Sequence, residues 1–306
     1  MNIVFMGTPE IANPILEALD ENYNVTLVVT QEDKKKGRGK KLLPPPVKVK
    51  AEELGIPVFQ PKSINTEESI EKLKSENADL FIVIAYGQIL KEDVLNIPKQ
   101  CINIHASILP KLRGAAPINW AIINGEKESG VSIMQMERGL DSGDVALVKK
   151  VNIESLNAEE LESEISRLGA EAIVEFIESY KKDEAVFVPQ NHDEATYAPK
   201  IDKETGYINF KEMNTKEILD LVRGLYPAPA ASAVYKDIRF KILEAKEVES
   251  EDGNLAGEIL DSNKKLIVKT KDSAISIEKI QFPGKKAMNI KSYLAGNDFE
   301  EKIILE

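Results

Sequence analysis

The stretch L-F-I-V-I-A at residues 80–85 is apolar at every position. Such a run, bounded by polar residues, is typical of a strand that helices cover on both faces. Strand and helix patterns alternate on either side of it, with further short apolar runs at residues 2–6, 25–29 and 101–105. The sequence therefore predicts an α/β fold, a doubly wound, mostly parallel, Rossmann-like sheet.

The hydrophobic pattern past about residue 205 no longer alternates strands with helices. Short alternating runs at 232–235, 240–243, 257–260, 266–270 and 274–280 indicate a small C-terminal β-barrel of the OB type. A chain of 306 residues with 42% apolar and 30% charged residues is long enough for two domains. We predict a first, α/β domain at 1–189, a linker at 190–205 and the barrel at 206–306.

Composition also bears on the cellular compartment and on the kinds of site that the protein can contain. No apolar run approaches the roughly 18 residues of a membrane-spanning helix, and Cys101 is the only cysteine. An internal disulfide and a cysteine-rich metal site are therefore excluded. We expect a cytoplasmic protein with no membrane segment and no metal.

The charge pattern has a local reversal. The net charge is −11, which ordinarily argues against nucleic-acid binding. Residues 34–50 nevertheless carry eight Lys and Arg side chains and no Asp or Glu. Such a run is either a solvated, mobile loop or a surface that contacts phosphates, and the charge alone leaves both open.

The motif N-I-H at residues 103–105 carries the first candidate site. If it lies on a strand, Asn103 and His105 share one face, with Cα atoms about 7 Å apart. An amide and an imidazole that converge on one oxygen form an oxyanion hole. The alternative is an ordinary core Asn and a hydrogen-bonded His.

Asp141 supplies the carboxylate that this site would need. It lies in G-L-D-S-G-D at residues 139–144, where glycines indicate a tight turn. A plain turn aspartate is the alternative. Beside His105, the carboxylate would favour the imidazolium and could accept a proton from an attacking amine.

Two other chemistries find no support in the sequence. The dinucleotide motif G-x-G-x-x-G and the P-loop motif are absent, so neither a nicotinamide nor an ATP site is indicated. Cys101 lies about 13 Å along the same strand from His105, too far for activation as a nucleophile. His192, in a polar stretch, is expected to be a surface residue.

These motifs together resemble the methionyl-tRNA formyltransferase family. The resemblance covers almost the whole chain, through N-x-H and G-L-D-S-G-D, the basic stretch G-R-G-K-K-L at 37–42, and R-G-L-Y-P-A-P-A at 223–230. It implies that a formyl group passes from 10-formyltetrahydrofolate to the α-amine of initiator methionyl-tRNA, without a metal. A monomer is expected.

The same resemblance implies a role for individual residues. The catalytic residues would be Asn103, His105 and Asp141. The folate would contact two segments, namely Ser107, Ile108, Leu109 and Pro110, and Ala85, Tyr86, Gly87 and Ile89. The tRNA would contact Arg38, Lys40 and Lys41. Sugar-nucleotide and glycinamide ribonucleotide formyltransferases share the catalytic motif, but the basic stretch and the second domain favour the tRNA branch.

Overall fold

The computed structural model describes residues 1–36, 41–250 and 253–306. These form two compact units, one made of Met1–Gly114, Ser129–Val151 and Glu162–Ala198, the other of Ala115–Glu128, Asn152–Leu161 and Pro199–Glu306. The domain bounds given above stay a prediction. In the described ranges, no helix has the length and apolar character that crossing a membrane requires.

The helices, in chain order, are α1 (Asn13–Asn22), α2 (Pro46–Glu53), α3 (Glu67–Ser75), α4 (Glu92–Leu95), α5 (Pro117–Ile123), α6 (Ala158–Lys181), α7 (Thr215–Gly224) and α8 (Ile290–Leu294). The strands of the first unit are β1 (Asn2–Gly7), β2 (Asn24–Val29), β3 (Lys34–Lys36), β4 (Lys41–Leu43), β5 (Val58–Phe59), β6 (Leu80–Ile84), β7 (Gln100–His105), β8 (Arg113–Gly114), β9 (Glu128–Gln135), β10 (Val145–Asn152) and β11 (Tyr197–Ala198). Those of the second unit are β12 (Ala231–Tyr235), β13 (Ile238–Val248), β14 (Ile259–Asp261), β15 (Leu266–Lys269), β16 (Ala274–Gln281) and β17 (Met288–Asn289).

The first unit contains the predicted sheet. Its strand order is β10-β9-β7-β6-β1-β2-β5. The pairs β1 with β2, β1 with β6, β2 with β5 and β6 with β7 are parallel, whereas β9 runs antiparallel to β7. The mostly parallel, doubly wound sheet is thus confirmed. Its strand order reverses between β1 and β6.

β6 lies at the centre of this core. All of its residues, Leu80–Ile84, are buried. Burying one such side chain contributes about 1.5–3 kcal/mol of hydrophobic free energy. The uninterrupted apolar run therefore follows from a strand that has no solvent-facing side.

α6 holds β7 in place. The helical spacing of six apolar residues predicts one buried stripe on this helix. All six are buried, namely Leu161, Ile165, Leu168, Ile173, Phe176 and Ile177. A Cβ on Gly169 would lie 2.8 Å from Ile15 and 3.4 Å from Ile104 of β7. Glycine at this position lets the helix approach the strand that carries the N-I-H motif.

Two local expectations differ from the structure. The apolar spacing at residues 89–95 predicts a helix, but α4 begins only at Glu92. Asn65 donates to the Ile89 carbonyl and accepts from the Lys91 N–H, which takes up the main chain before Glu92. In G-T-P at residues 7–9, a threonine before a proline predicts a helix N-cap at Thr8. Thr8 instead donates its hydroxyl to the Tyr86 carbonyl at 2.8 Å. This bond ties the loop after β1 to the loop after β6.

Two short strands flank residues 37–40, which lie outside the described residues. β3 pairs antiparallel with β4, with Lys34 opposite Leu43 and Lys35 opposite Leu42. The sequence indicated only a loop here, since lysine runs carry no strand signal.

The second unit contains a half-barrel of antiparallel strands in the order β12-β13-β16-β15-β14. The C-terminal residues complete it. Leu305 and Ile303 bond to Gly257 and Ile259 beside β14, and Glu306 exchanges bonds with Val234 of β12. The predicted small barrel is confirmed in this form, with its two edge strands bridged by the last residues of the chain.

Candidate active site

The carboxyl ends of the parallel strands form one edge of the first unit's sheet. Gly7 at the end of β1 pairs with Ile84 of β6, and Val83 pairs with Asn103 of β7. Ligands of doubly wound sheets bind outside this edge, where the strand order reverses. The residues that follow β6 and β7 are therefore placed at the expected binding edge.

Asn103 and His105 lie on the same face of β7 because side chains alternate along a strand. His105 is buried and stands opposite Ser132 of β9. Asn103 is half-buried, and its side chain makes no hydrogen bond within the described residues. Its amide is thus available to donate to a ligand oxygen.

Asp141 lies in the turn between β9 and β10. Its φ of 48° is in the left-handed region, which is uncommon for a residue with a side chain. A Cβ on Gly143 would lie 2.1 Å from the Gln135 carbonyl oxygen, so only glycine fits there. Asp141 Oδ2 accepts from the Gly114 N–H at 2.8 Å and lies 3.7 Å from His105 Nδ1.

The other nitrogen of the His105 ring is held by the main chain. Nε2 lies 3.0 Å from the Leu112 carbonyl oxygen. A carbonyl oxygen can only accept, so Nε2 carries the hydrogen of this contact. The distance of 3.7 Å from Nδ1 to Asp141 is longer than a direct hydrogen bond. A reactant that hydrogen-bonds to Nδ1 would therefore also lie close to the Asp141 carboxylate.

The first predicted folate segment, Ser107, Ile108, Leu109 and Pro110, follows β7 directly. The buried Ser132 hydroxyl donates to the Ser107 carbonyl at 2.7 Å and accepts from the Leu109 N–H at 3.1 Å. The Ser107 hydroxyl is itself buried and donates to a main-chain carbonyl at 2.6 Å. Ile108 and Pro110 stay half-exposed, so their side chains are the ones a ligand can reach.

The second predicted folate segment, Ala85, Tyr86, Gly87 and Ile89, follows β6. Ala85 and Gly87 are exposed and have φ of 45° and 87°. The Tyr86 ring packs in the core, where burial raises the pKa of its hydroxyl. Tyr86 can therefore contact a ligand only through its main chain, whereas Ile89 is 86% exposed.

These two segments offer the kinds of group that a flat heterocycle with polar edges, such as a pterin, needs. The exposed main chain at residues 85–87 offers donors and acceptors for its edge, and half-exposed apolar side chains can cover its face. Gly87 lacks a side chain, and a Cβ there would come no closer than 3.5 Å to Gln31. The approach to this main chain is open.

The structure places one of the three predicted tRNA contacts. Lys41 is exposed at the start of β4, and Lys34 and Lys35 are exposed in β3. Arg38 and Lys40 lie outside the described residues. By strand alternation, Lys34 and Lys41 lie on one face of this hairpin and Lys35 lies on the other. Exposed ammonium groups of this kind are suited to phosphates.

The only cysteine has no role in this arrangement. Cys101 is buried, and burial raises the pKa of its thiol to about 12. Its Sγ contacts the Met136 sulfur at 3.6 Å. His192 is exposed, as expected. In the part of the chain that the structure describes, no three His, Cys, Asp or Glu residues are grouped as a metal ion would require.

Three buried polar residues near the site were not found from the sequence. Ser132 anchors the segment after β7, and Arg113 and Gln190 bond to each other beside the Asp141 turn. A serine inside the apolar run V-S-I-M was a usable signal, since a buried hydroxyl needs partners. Gln190 gave no such signal because its surroundings in the sequence are polar.

Comparison with known proteins identifies the family. The Formyl transferase model matches residues 1–177, and the model of the Formyl transferase C-terminal domain matches residues 200–298. The methionyl-tRNA formyltransferase of Clostridioides difficile is 46% identical over 309 residues, which cover 100% of each chain.

Solved structures share the fold at lower identity. Methionyl-tRNA formyltransferase from Clostridium thermocellum superposes with a TM-score of 0.58 at 20% identity, over 84% of this chain and 96% of that one. HypX from Aquifex aeolicus, solved with tetrahydrofolic acid, gives a TM-score of 0.64 at 18% identity, over 96% of this chain and 46% of that one. By its full-length identity to named relatives, this chain belongs to the methionyl-tRNA formyltransferase family.

Proposed function

We propose that this protein transfers the formyl group of 10-formyltetrahydrofolate to the α-amine of initiator methionyl-tRNA, giving N-formylmethionyl-tRNA. The Clostridioides difficile relative named methionyl-tRNA formyltransferase matches this chain over its full length. The observation that best supports the chemistry is the placement of Asp141 Oδ2 at 3.7 Å from His105 Nδ1, at the carboxyl edge of the sheet.

The folate co-substrate supplies a formyl carbon that an amine can attack. In the transfer, the amine nitrogen bonds to this carbon, the carbon's bond to the folate nitrogen breaks, and a proton moves from the amine to the departing nitrogen. The main chain of residues 85–87 and the side chains of Ile108 and Pro110 would hold the pterin. Negative charge builds on the formyl oxygen as the amine attacks.

Each catalytic residue has a separate task in this proposal. Asn103 donates its free amide N–H to the formyl oxygen. His105 donates to the same oxygen from Nδ1 of its protonated ring, while Nε2 stays bonded to the Leu112 carbonyl. Asp141 lies beside Nδ1, orients the ring, accepts the amine proton and passes it to the departing folate nitrogen. No covalent bond to the protein is needed.

The basic hairpin would contact the tRNA. Lys34, Lys35 and Lys41 are exposed on it, and Arg38 and Lys40 lie in the same stretch of sequence. Contacts to phosphates position an RNA without reading its sequence. We also propose that the protein acts as a monomer in the cytoplasm, where translation begins. Size-exclusion chromatography with light scattering tests the monomer.

Transfer of labelled formyl tests the activity. The protein is incubated with formyl-labelled 10-formyltetrahydrofolate and methionyl-tRNA, and label is measured in the aminoacyl product. Uncharged tRNA and free methionine serve as controls, because the first lacks the amine and the second lacks the phosphates. Label on methionyl-tRNA alone supports the proposal.

Two results would oppose it. Label on an amino-sugar nucleotide, with none on methionyl-tRNA, would assign the protein to the sugar-nucleotide branch of the same chemistry. Tight binding of methionyl-tRNA without any transfer would leave a binding protein rather than an enzyme.

A further inference from the structure

Gln190 is buried, at 8% exposed, and its side-chain amide is fully engaged. Nε2 donates to the Asp141 carbonyl at 3.0 Å and to the Gly143 carbonyl at 2.6 Å. Oε1 accepts from Arg113 Nε at 3.2 Å and from Arg113 Nη2 at 2.6 Å. Both amide hydrogens and both acceptor sites of one side chain are thus satisfied.

The two hydrogen bonds from Gln190 Nε2 stabilise the strained turn that contains Asp141. Asp141 adopts a left-handed φ of 48°, a strained conformation for a residue with a side chain. Gly143 has no room for a side chain, because a Cβ there would lie 2.1 Å from the Gln135 carbonyl oxygen at the start of the same turn. Strained turns persist where surrounding groups fix them. Gln190 fixes this one from inside, through two carbonyls only two residues apart.

The bonds to Oε1 connect the turn to the segment that holds His105. Arg113 is itself buried, and its N–H donates to the Thr196 carbonyl at 2.9 Å. The residue before it, Leu112, accepts from His105 Nε2, and the residue after it, Gly114, donates to Asp141 Oδ2. One short segment therefore contacts both members of the His105–Asp141 pair.

We propose that Gln190 is a positioning residue, which with Arg113 holds the Asp141 turn so that the carboxylate stays beside His105 Nδ1 during formyl transfer. This inference rests on the proposed function and adds a residue to its site. Gln190 touches no reacting atom. It acts by fixing where the carboxylate lies, at 3.7 Å from the ring nitrogen.

Two substitutions of Gln190 separate positioning from plain stability. Gln190→Met keeps the length of the side chain but removes every hydrogen bond. Gln190→Glu keeps acceptors for Arg113, yet at neutral pH it has no hydrogen to donate, so it repels the carbonyls of Asp141 and Gly143. The turn should move in both variants, while the bond to Arg113 survives in the second.

His192→Ala is the matched control. His192 Nδ1 lies 3.1 Å from Arg113 Nη2, but its side chain is exposed and does not reach the turn. This variant removes a partner of the same arginine without touching Gln190. It should keep wild-type turnover.

We expect kcat for formylation of methionyl-tRNA to fall about 10- to 100-fold in Gln190→Glu and Gln190→Met, since a misplacement of about 1 Å can cost that much. KM for both substrates should stay within about threefold. In Gln190→Glu, activity should recover toward low pH as the new carboxyl gains a proton and donates again. Wild-type kcat with an unchanged pH profile, or a loss carried by KM alone, would overturn the proposal.

A second measurement does not depend on the substrate. The chain has two histidines, so the His192→Ala background leaves one imidazole signal in an NMR spectrum, that of His105. The ring signal should shift when Gln190→Met is added, because the carboxylate beside it moves. An unchanged signal refutes positioning even if formyl transfer to methionyl-tRNA is not observed. A shifted signal in a protein that fails to formylate methionyl-tRNA would count against the proposed function alone.

Discussion

At the scale of single residues, Asn103 and His105 are held very differently. His105 has its Nε2 fixed by a carbonyl, whereas the Asn103 amide makes no hydrogen bond in the described part of the chain. A half-buried amide without partners is ready to donate to a ligand, since it gives up no internal bond to do so. Removing it should therefore affect the reaction more than the fold.

Asn103→Ala should lower kcat by about two to three orders of magnitude, because loss of one oxyanion donor costs roughly 3–4 kcal/mol of transition-state stabilisation. Affinity for methionyl-tRNA should change little. Steady-state kinetics with a separate filter-binding measurement checks both. Asn96→Ala, an exposed asparagine before β7, is the control. Normal turnover of the Asn103 variant would remove this residue from the mechanism.

Cys101 allows a prediction from its proton affinity. With a thiol pKa of about 12, about one molecule in 10,000 carries the thiolate at pH 8, against roughly a quarter for a free cysteine. Iodoacetamide should thus label the folded protein at least about 1000-fold more slowly than the protein in urea, and Cys101→Ala should keep its activity. Fast labelling of the folded protein, or an inactive variant with wild-type stability, would contradict this account.

At the scale of helices and strands, the sequence predicted what depends on local pattern. Leu80–Ile84 and the stripe on α6 were found because hydrophobic periodicity directly reflects which side of an element is buried. Asn157 and Glu160 have the local spacing of a capping box before α6, and both of its bonds are present.

Features that depend on distant partners were missed. α4 begins late because Asn65 binds the main chain before it. Asn65 accepts from the Lys91 N–H, although it lies 26 residues earlier in the sequence. Gln190 lies 49 residues from Asp141, so no local pattern relates them. In the site, the sequence motifs identified Asn103, His105 and Asp141. They did not identify the side chains that hold these residues in place, such as Gln190.

The last residues of the chain should contribute much of the second unit's stability. Leu305 is 2% exposed and bonds to Gly257, whereas its neighbour Ile304 is 37% exposed. Leu305→Ala should cost about 2–4 kcal/mol, and Ile304→Ala less than about 1 kcal/mol. Urea unfolding followed by tryptophan fluorescence measures this, because the only tryptophan, Trp120, belongs to the same unit. Equal costs for both variants would mean that the last residues of the chain are not packed as described.

At the scale of the whole molecule, the distribution of charge is the feature that needs an explanation. The protein carries −11 overall, and residues 206–306 contain 16 Lys and Arg against 17 Asp and Glu. The acidity therefore lies in residues 1–205, the same part that contains the basic hairpin. An acidic protein repels a polyanion except at a surface of opposite sign. A basic surface on an acidic protein therefore restricts the orientations in which a tRNA can bind.

The salt dependence of tRNA binding tests this idea. Each phosphate contact adds about 0.7–0.9 to the slope of log affinity against log salt concentration, so replacing Lys34, Lys35 and Lys41 by Ala should make the slope shallower by about 2. Affinity at low salt should fall with it, while kcat at saturating tRNA stays near wild type. The control replaces Lys62, Lys74 and Lys91, which are also exposed in the first unit, and changes the net charge equally. If both triple variants lower the slope to the same extent, total charge rather than the hairpin governs binding, because the two proteins differ only in where the lysines were removed.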